Sequence, residues 1–317
     1  MEPMMTDHLA ARLDRPGAQG EPSAGVTGSP TGGQEPTAGL RVLLPGTRVI
    51  LVAFVVLTAV ATYELFFQSA RTQSGFAWTI LPPVTAAFLG AGYGAGCVLT
   101  ILTLRTRTWA DARLTVTTVF VFVVVTLAAT LLHLGKFHFH VAGVIPRFAA
   151  WFWLGIYLTV PVALAVAIIV QSRRRGTDPP RGRPLPVWLA VPLAAQGAVM
   201  LAAGIALFAG PGSAATLWPW KLTPLTARAV AAWLIAFGAA AALALLDRDL
   251  RRLRAAAAGY AVFGLLALVA VARFAGQVHW GSAAAIVYLI VVGSVLITGS
   301  AGWLLAARPA LRRRNEP

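Results

Sequence analysis

Charged side chains are scarce in this sequence, and the scarcity excludes most classes of soluble protein. Of the 317 residues, 58% are hydrophobic and only 12% are Asp, Glu, Lys or Arg, about half the share of an ordinary soluble domain. Acidic residues number 11 against 26 basic ones, a net charge of +15. In a soluble chain this balance would indicate nucleic-acid binding, but here the basic residues lie between long apolar runs. We therefore expect a membrane protein with no nucleic-acid partner.

Cysteine and common catalytic motifs are also nearly missing. The one cysteine, Cys97, lies inside an apolar run, which excludes an intrachain disulfide and a Cys-based metal site. The sequence has neither the HExxH pattern of zinc proteases nor the GxxxxGK[ST] loop that binds nucleotide phosphates. No Asp, Lys or Arg lies in the middle of an apolar run, where ion-coupled carriers often have one. The sequence itself requires no cofactor.

The sequence instead contains eight apolar runs of about 20 residues, the length at which a helix crosses a bilayer. They cover about residues 47–67, 77–104, 113–134, 148–171, 186–209, 226–246, 253–273 and 283–306. Pro82 and Pro83 would reduce the second run to a half-span if they interrupted its helix. Because proline is well tolerated in a first turn, we expect them to start the helix. The predicted fold class is an all-α integral membrane protein with eight transmembrane helices and the lipid bilayer as partner.

The distribution of basic residues between the loops supports eight spans. With eight, 20 of the 26 Lys and Arg residues fall on one side of the membrane and six on the other. Cytoplasmic loops retain positive charge, so we expect the richer side, which includes both termini, to be cytoplasmic. These residues then act as topology signals and headgroup contacts. The Ala- and Arg-rich composition is typical of a high-GC bacterium, which predicts the bacterial inner membrane.

The two halves of the chain resemble each other. FAWTILPPVTAAF aligns with WPWKLTPLTARAV, and pairing Pro83 with Pro224 also pairs His138 with His279 at the same offset of 141 residues. We interpret the halves as two parallel four-helix repeats related by a pseudo-two-fold axis along the membrane normal. The alternative is two independent halves of similarly biased composition. The predicted units are a disordered cytoplasmic tail (1–42), the first repeat (43–171), a basic cytoplasmic linker (172–185), the second repeat (186–307) and a basic cytoplasmic tail (308–317).

Small residues recur at four-residue spacing in the second run, in GAGYGAG from Gly90 to Gly96. This spacing lets helix backbones approach closely in lipid. The motif therefore predicts helix packing and not a binding site.

Candidate binding residues gather on the outer face. Every histidine except His8 falls there, with six basic residues and several tryptophans, which an aromatic belt at the interface would also explain. Four helices begin on that face, so their positive ends add to its charge. We expect a cationic outer vestibule that binds an anionic small molecule or lipid headgroup, with the loop between the fifth and sixth runs as a lid. The candidate ligand-binding residues are Glu64, His133, His138, Arg147, Trp218, Trp220, Lys221, Arg228 and His279.

A metal or haem site is a second hypothesis for the histidines. His138 and His140 would point the same way from an extended segment, and His279 lies in the equivalent loop of the second half. These three residues are the metal-ligand candidates, with His133 or Glu64 completing the shell. In the simpler interpretation, interfacial histidines bond to backbone carbonyls and headgroups.

Glu64 is the residue that the sequence singles out. It is the one acidic residue near the outer face, and a carboxylate in an apolar span is costly enough to suggest a function. Glu64 and His138 are therefore the candidate catalytic residues. The alternative for Glu64 is an ion pair with Arg71, Arg147 or Arg228.

These observations favour a transporter or permease-like protein, because a duplicated membrane domain resembles the architecture common in permeases, which bind substrate between the repeats. One alternative is a membrane enzyme or redox protein that uses Glu64 and the outer histidines with a metal or haem. The other is a structural or assembly subunit. Whether the protein is an enzyme stays open.

Overall fold

The computed structural model describes residues 39–307, and the predicted tails at 1–38 and 308–317 lie outside the described residues. Within 39–307 the chain is helical, and its only strand-like pairings are isolated bridges. Eight helices are long and apolar enough to cross a membrane: α1 (Pro45–Phe67), α2 (Pro83–Leu104), α3 (Trp109–Leu131), α4 (Val144–Arg173), α5 (Val187–Ala209), α6 (Pro224–Asp247), α7 (Arg254–Arg273) and α8 (Ala283–Ala307). The eight predicted runs are thus confirmed as helices, as expected of a multi-pass membrane protein.

The helix starts follow from local sequence. α2 begins at Pro83 after an extended Pro82, so the two prolines start the helix as predicted. α6 begins in the same way at Pro224, and Thr223 and Thr226 form a capping box in front of it. A proline at this position loses nothing, because the first N–H groups of a helix have no partner within the helix.

Four helices form the centre of the structure and four surround it. The buried share of the apolar window is 67% in α2, 56% in α3, 61% in α6 and 39% in α7, against 17–33% in α1, α4, α5 and α8. α2 packs against α7, and α3 packs against α6, so each half contributes two central helices that contact the other half. The outer helices keep apolar side chains exposed, as lipid contact requires.

We name the two ends of the helix bundle by their loops. The basic end comprises residues 39–44, 105–108, 174–186 and 248–253, and the histidine end comprises residues 68–82, 132–143, 210–223 and 274–282. At the basic end, Leu43 N donates to Arg107 O (2.9 Å), and Leu185 N donates to Arg248 O (3.0 Å). Residues 39–42, assigned to the tail from sequence, thus belong to a segment that pairs with the neighbouring loops.

Backbone hydrogen bonds also join the loops at the histidine end. His138 N donates to Ala77 O, and His279 N donates to Pro219 O, both at 2.9 Å. In these pairs, and in those of the basic end, the second-half partner follows its counterpart by 141 or 142 residues. Loops that lie 141 or 142 residues apart in the chain therefore make matching backbone contacts.

The glycines of α2 lie where the prediction required close packing. A Cβ atom on Gly90 would stand 2.5 Å from Phe66 N of α1, and one on Gly92 would stand 2.6 Å from the Trp233 ring of α6. A Cβ atom on Gly94 would stand 2.8 Å from Leu266 of α7. The small residues thus let α2 contact three neighbouring helices at once.

Candidate functional site

Aromatic side chains fill the histidine end where the sequence predicted a vestibule. Trp220 is 1% exposed, and its N–H donates to the Thr85 hydroxyl at 2.9 Å, which ties the loop before α6 to α2. Trp218 packs edge-on against Trp220 and Phe88. The two indole rings of this loop pack against α2 between the helices. The loop therefore does not form the predicted lid over a vestibule.

A second aromatic cluster lies on the first half at the same end. Trp78 is 3% exposed and contacts Trp153 and Phe137 at ring distances of 4.8 and 5.1 Å. The Trp153 N–H donates to Thr130. Trp78 and Trp153, which an aromatic belt at the membrane interface would have exposed to lipid headgroups, are instead buried in the protein.

His138 acts as a connector between loops. Its Nδ1 lies 3.0 Å from Phe76 O, and its Nε2 lies 3.0 Å from the Thr79 hydroxyl. Because both ring nitrogens have protein partners, neither is available to a metal in this arrangement. This is the simpler interpretation of the interfacial histidines.

The structure does not assemble the proposed metal ligands. His140 and His279 are exposed, and no group of three His, Cys, Asp or Glu side chains within residues 39–307 could hold a metal ion. The two histidines of the HxH pattern lie in one loop, but His138 is bonded to protein groups and His140 is exposed.

His133 and Arg228 form a contact between the halves that was not predicted from the sequence. Arg228 Nη1 lies 2.7 Å from His133 Nε2, and Arg228 Nε donates to Phe208 O at 3.0 Å. Burial lowers the pKa of His133, and the charges of Arg228 and Lys136 lower it further. The ring is accordingly neutral near pH 7, and Nε2 can accept a hydrogen bond from the guanidinium.

Glu64 lies in the π-helical last turn of α1. Its Oε2 stands 3.1 Å from where a Cβ on Gly75 would be, so the carboxylate packs against the loop backbone. Among the ion pairs of the described residues, none joins Glu64 to Arg71, Arg147 or Arg228. The alternative interpretation of Glu64 as half of an ion pair is thus not met, and one of its three possible partners, Arg228, contacts His133 instead.

Two further candidates on this face, Arg147 and Lys221, make no ion pair with Glu64 among the described residues. Arg147 and Lys221 are exposed on separate segments. Arg273, which was not a candidate, donates to Phe66 O and Phe67 O at the end of α1. Its guanidinium caps carbonyls that the helix leaves unpaired, so it joins α7 to α1.

The structure contains an apolar cavity that sequence reasoning missed. The space in it that a water-sized molecule can enter measures about 90 Å³, and it lies between the halves in the part of the bundle nearer the basic end. Residues from α2, α3, α5, α6, α7 and α8 line it, with Phe54 of α1, and none is charged. The sequence gives no clear sign of this cavity. Its lining is rich in Ala and Gly from separate helices, and these residues come together only when the helices pack.

Two hydroxyl-bearing residues of the lining, Tyr260 and Thr298, bond to side chains behind it. Tyr260 donates to Gln196 Oε1 at 3.2 Å, and the Gln196 amide donates to Thr298 and Ser294, each at 2.9 Å. Thr118 also belongs to the lining, and its buried hydroxyl has no hydrogen-bond partner in the described part of the chain. Since these polar groups are buried or bonded, the cavity suits a mainly apolar molecule.

Ion pairs connect the loops of the basic end, whereas the topology prediction considered only their basic members. Arg252, with 5% of its side chain exposed, pairs with Asp247 at 3.0 Å and Asp249 at 3.2 Å. Arg113 joins Asp247 to Asp178. All four described aspartates, Asp111, Asp178, Asp247 and Asp249, take part in such pairs.

No family model, curated protein or solved structure matches this chain. The function must accordingly be inferred from its own residues. The cavity offers hydrophobic burial and a few hydroxyl groups, whereas no nucleophile and base converge in its lining.

Proposed function

We propose that the chain is a permease-like protein of the bacterial inner membrane that carries a mainly apolar molecule in the cavity between its two halves. The apolar cavity is the observation that carries the proposal, since helices of both halves line it and no charged residue does. The space open to a water-sized molecule measures about 90 Å³, below the roughly 300–1,000 Å³ of small-molecule sites, so we expect the cavity to widen when a substrate enters. The substrate site proposed here therefore lies towards the basic end, whereas the sequence predicted an outer vestibule at the histidine end.

The contacts between helices support two parallel four-helix repeats. Exchanging the halves maps α2 on α6 and α3 on α7, and under this exchange the packing of α2 on α7 becomes that of α6 on α3. The packing of α1 on α2 and of α3 on α4 likewise becomes that of α5 on α6 and of α7 on α8. A pseudo-two-fold axis along the membrane normal accounts for this agreement, as it does for the 141- and 142-residue spacing of the loop contacts.

The charge distribution supports a cytoplasmic basic end and therefore a cavity in the cytoplasmic half of the bilayer. The aromatic clusters then close the outer side. A carrier must open this seal, which the Trp220–Thr85 hydrogen bond and the His133–Arg228 contact hold between the halves. The exposed Arg147 and Lys221 are placed to contact outer headgroups.

Distance measurements between the halves test the proposal. Gly135 and Gly276 occupy equivalent exposed loops, and an added Cβ meets no atom within 4 Å at either position. Spin labels on Gly135→Cys and Gly276→Cys, in a Cys97→Ser background, are expected to give two distance populations by pulsed electron resonance in lipid nanodiscs. The reason is that alternating access moves one half relative to the other.

A matched pair within the second half provides the control. Gly212 and Gly276 are both exposed with open surroundings, and labels there are expected to give one distance. A single narrow distance between Gly135 and Gly276 in every lipid composition would contradict the carrier and favour a structural subunit.

A further inference from the structure

We infer that a pocket at the basic end binds the phosphate group of an anionic phospholipid, which Arg181 and Arg248 hold by charge-assisted hydrogen bonds. The pocket lies where the linker between the halves crosses the end of α6, and its lining consists of Arg181, Gly182, Pro184, Leu246, Asp247 and Arg248. It shares none of these residues with the lining of the apolar cavity. The inference therefore goes beyond the proposed carrier and does not depend on it.

Backbone contacts fix the walls of this pocket. Leu185 N donates to Arg248 O at 3.0 Å, and Pro184 and Asp249 form an antiparallel bridge. The Gly182 N–H donates to the Asp249 carboxylate at 2.9 Å. The linker and the turn after α6 are thus bonded to each other along the pocket, and the two arginines begin from backbone positions that the fold determines.

The pocket is wide enough for a phosphate group. The space that a water-sized molecule can enter measures about 220 Å³, against about 90 Å³ in the apolar cavity. Roughly 10–15 Å³ of such space is enough for one water molecule. The pocket therefore admits a phosphate together with the atoms bonded to it, and charged side chains form part of its wall.

Arg248 has an unusual backbone conformation at this pocket. It follows the last residue of α6 in the left-handed region, with φ of 52°, and is the one residue other than glycine with a positive φ in the described part of the chain. Glycine is the usual residue at this position, because a Cβ atom makes the conformation costly. Arg248 Nε donates to Leu245 O, so the side chain caps the negative end of the helix. Its two Nη groups make no hydrogen bond within residues 39–307 and are available to an anion.

The carboxylate in the pocket wall is already neutralised. Asp247 pairs with Arg252 at 3.0 Å and with Arg113 at 3.4 Å. Arg181 and Arg248, in contrast, join none of the ion pairs of residues 39–307. The pocket therefore has two guanidinium groups in excess. Guanidinium groups bind phosphate oxygens through paired N–H donors, which makes phosphate the anion that matches this chemistry.

The surroundings of the pocket favour a lipid over a free phosphate ion. Leu246 belongs to the lining and is 77% exposed, in the last turn of a helix long enough to span a membrane. An apolar side chain at this level contacts lipid hydrocarbon, while basic residues just beyond the helix end lie among the headgroups. An anionic phospholipid provides a partner for both features.

The first half lacks this arrangement and provides the control. Arg107 corresponds to Arg248, since Leu43 N donates to Arg107 O at 2.9 Å as Leu185 N donates to Arg248 O. At the spacing that pairs Leu43 with Leu185, a glycine, Gly39, takes the place of Arg181. The first half thus has one exposed arginine where the second half has two.

Two lipids with the same dioleoyl chains, phosphatidylglycerol and phosphatidylcholine, test the inference on the purified full-length chain in neutral detergent micelles. Affinity for each is obtained by titrating the melting temperature, because a ligand of the folded state raises it. We expect phosphatidylglycerol to bind about tenfold more tightly, since the choline group cancels the phosphate charge. Replacing both arginines, by Arg181→Gln and Arg248→Gln, is expected to remove this preference, and Arg107→Gln to retain it.

The variants separate loss of the site from loss of the fold. Both replaced side chains are exposed, so the double variant is expected to keep the melting temperature of the unmodified protein when no lipid is added. Each single variant is expected to lower the affinity for phosphatidylglycerol about threefold, which preserves the test if the double variant unfolds.

Three results would overturn the inference: equal affinity for the two lipids, a preference that survives the double variant, or an equal loss in Arg107→Gln. Inorganic phosphate distinguishes the two sources of phosphate. At the same total concentration we expect it to leave the melting temperature unchanged, and a rise equal to that with phosphatidylglycerol would contradict the lipid assignment. None of these readouts involves the distance between Gly135 and Gly276, so the lipid site and the carrier can fail independently.

Discussion

Asp249→Ala is expected to cost about 3–5 kcal/mol of unfolding free energy, the loss typical of breaking a buried ion pair from one side. Asp249 is fully buried, and its carboxylate accepts from Gly182 N at 2.9 Å and Arg251 N at 3.0 Å while pairing with Arg252. Removing it leaves two N–H groups without that acceptor and Arg252 with Asp247 as its one remaining carboxylate partner. Denaturant unfolding in detergent micelles, followed by circular dichroism, measures the effect.

Asp178→Ala is the matched control at the same end. Its side chain is 30% exposed, and it pairs with Arg41 and Arg113 at 3.8 and 3.5 Å. Because solvent screens such pairs, we expect a loss below about 1 kcal/mol. Equal losses for the two variants would show that the Arg252 cluster does not fix the basic end.

Gly90→Ala is expected to destabilise the protein by about 1–3 kcal/mol, although alanine is the better helix former. The added Cβ would stand 2.5 Å from Phe66 N and 2.8 Å from Phe66 Cα, both backbone atoms that cannot rotate away. α1 and α2 would have to separate. The same denaturant titration reports the loss.

Gly96→Ala, on the same helix, separates packing from helix propensity. Its nearest contact would be 3.6 Å from Trp233, an ordinary van der Waals distance. We expect Gly96→Ala to be neutral or to stabilise by up to about 1 kcal/mol. Equal changes in unfolding free energy for the two variants would contradict the close approach of α1 and α2 at Gly90.

The sequence allowed the helices to be predicted because the signals are local. Apolar length set the eight spans, the fixed φ of Pro83 and Pro224 set two starts, and small-residue spacing at Gly90 indicated close packing. Each of these depends on residues within one or two turns of helix.

The candidate site could not be predicted because it depends on which helix faces meet. Ala240 and Ala242 look equivalent in the sequence, yet only Ala240 lines the cavity. Trp220 is of a residue type that prefers the membrane interface, but it is buried and bonds to Thr85 of the other half. His138 attracted a metal hypothesis through its neighbours in sequence, whereas its partners, Phe76 and Thr79, lie some 60 residues away in the chain.

The proposed carrier, with its cavity in the cytoplasmic half of the bilayer, depends on the orientation of the bundle, which labelling in intact cells tests most directly. Four single cysteines are placed in a Cys97→Ser background, two in equivalent loops of the histidine end (Gly135→Cys, Gly276→Cys) and two exposed positions near the basic end (Arg105→Cys, Leu246→Cys). A membrane-impermeant maleimide is expected to label the first pair in intact cells and the second pair only after lysis. Labelling of Arg105→Cys or Leu246→Cys from outside, or protection of either histidine-end cysteine, would contradict the account.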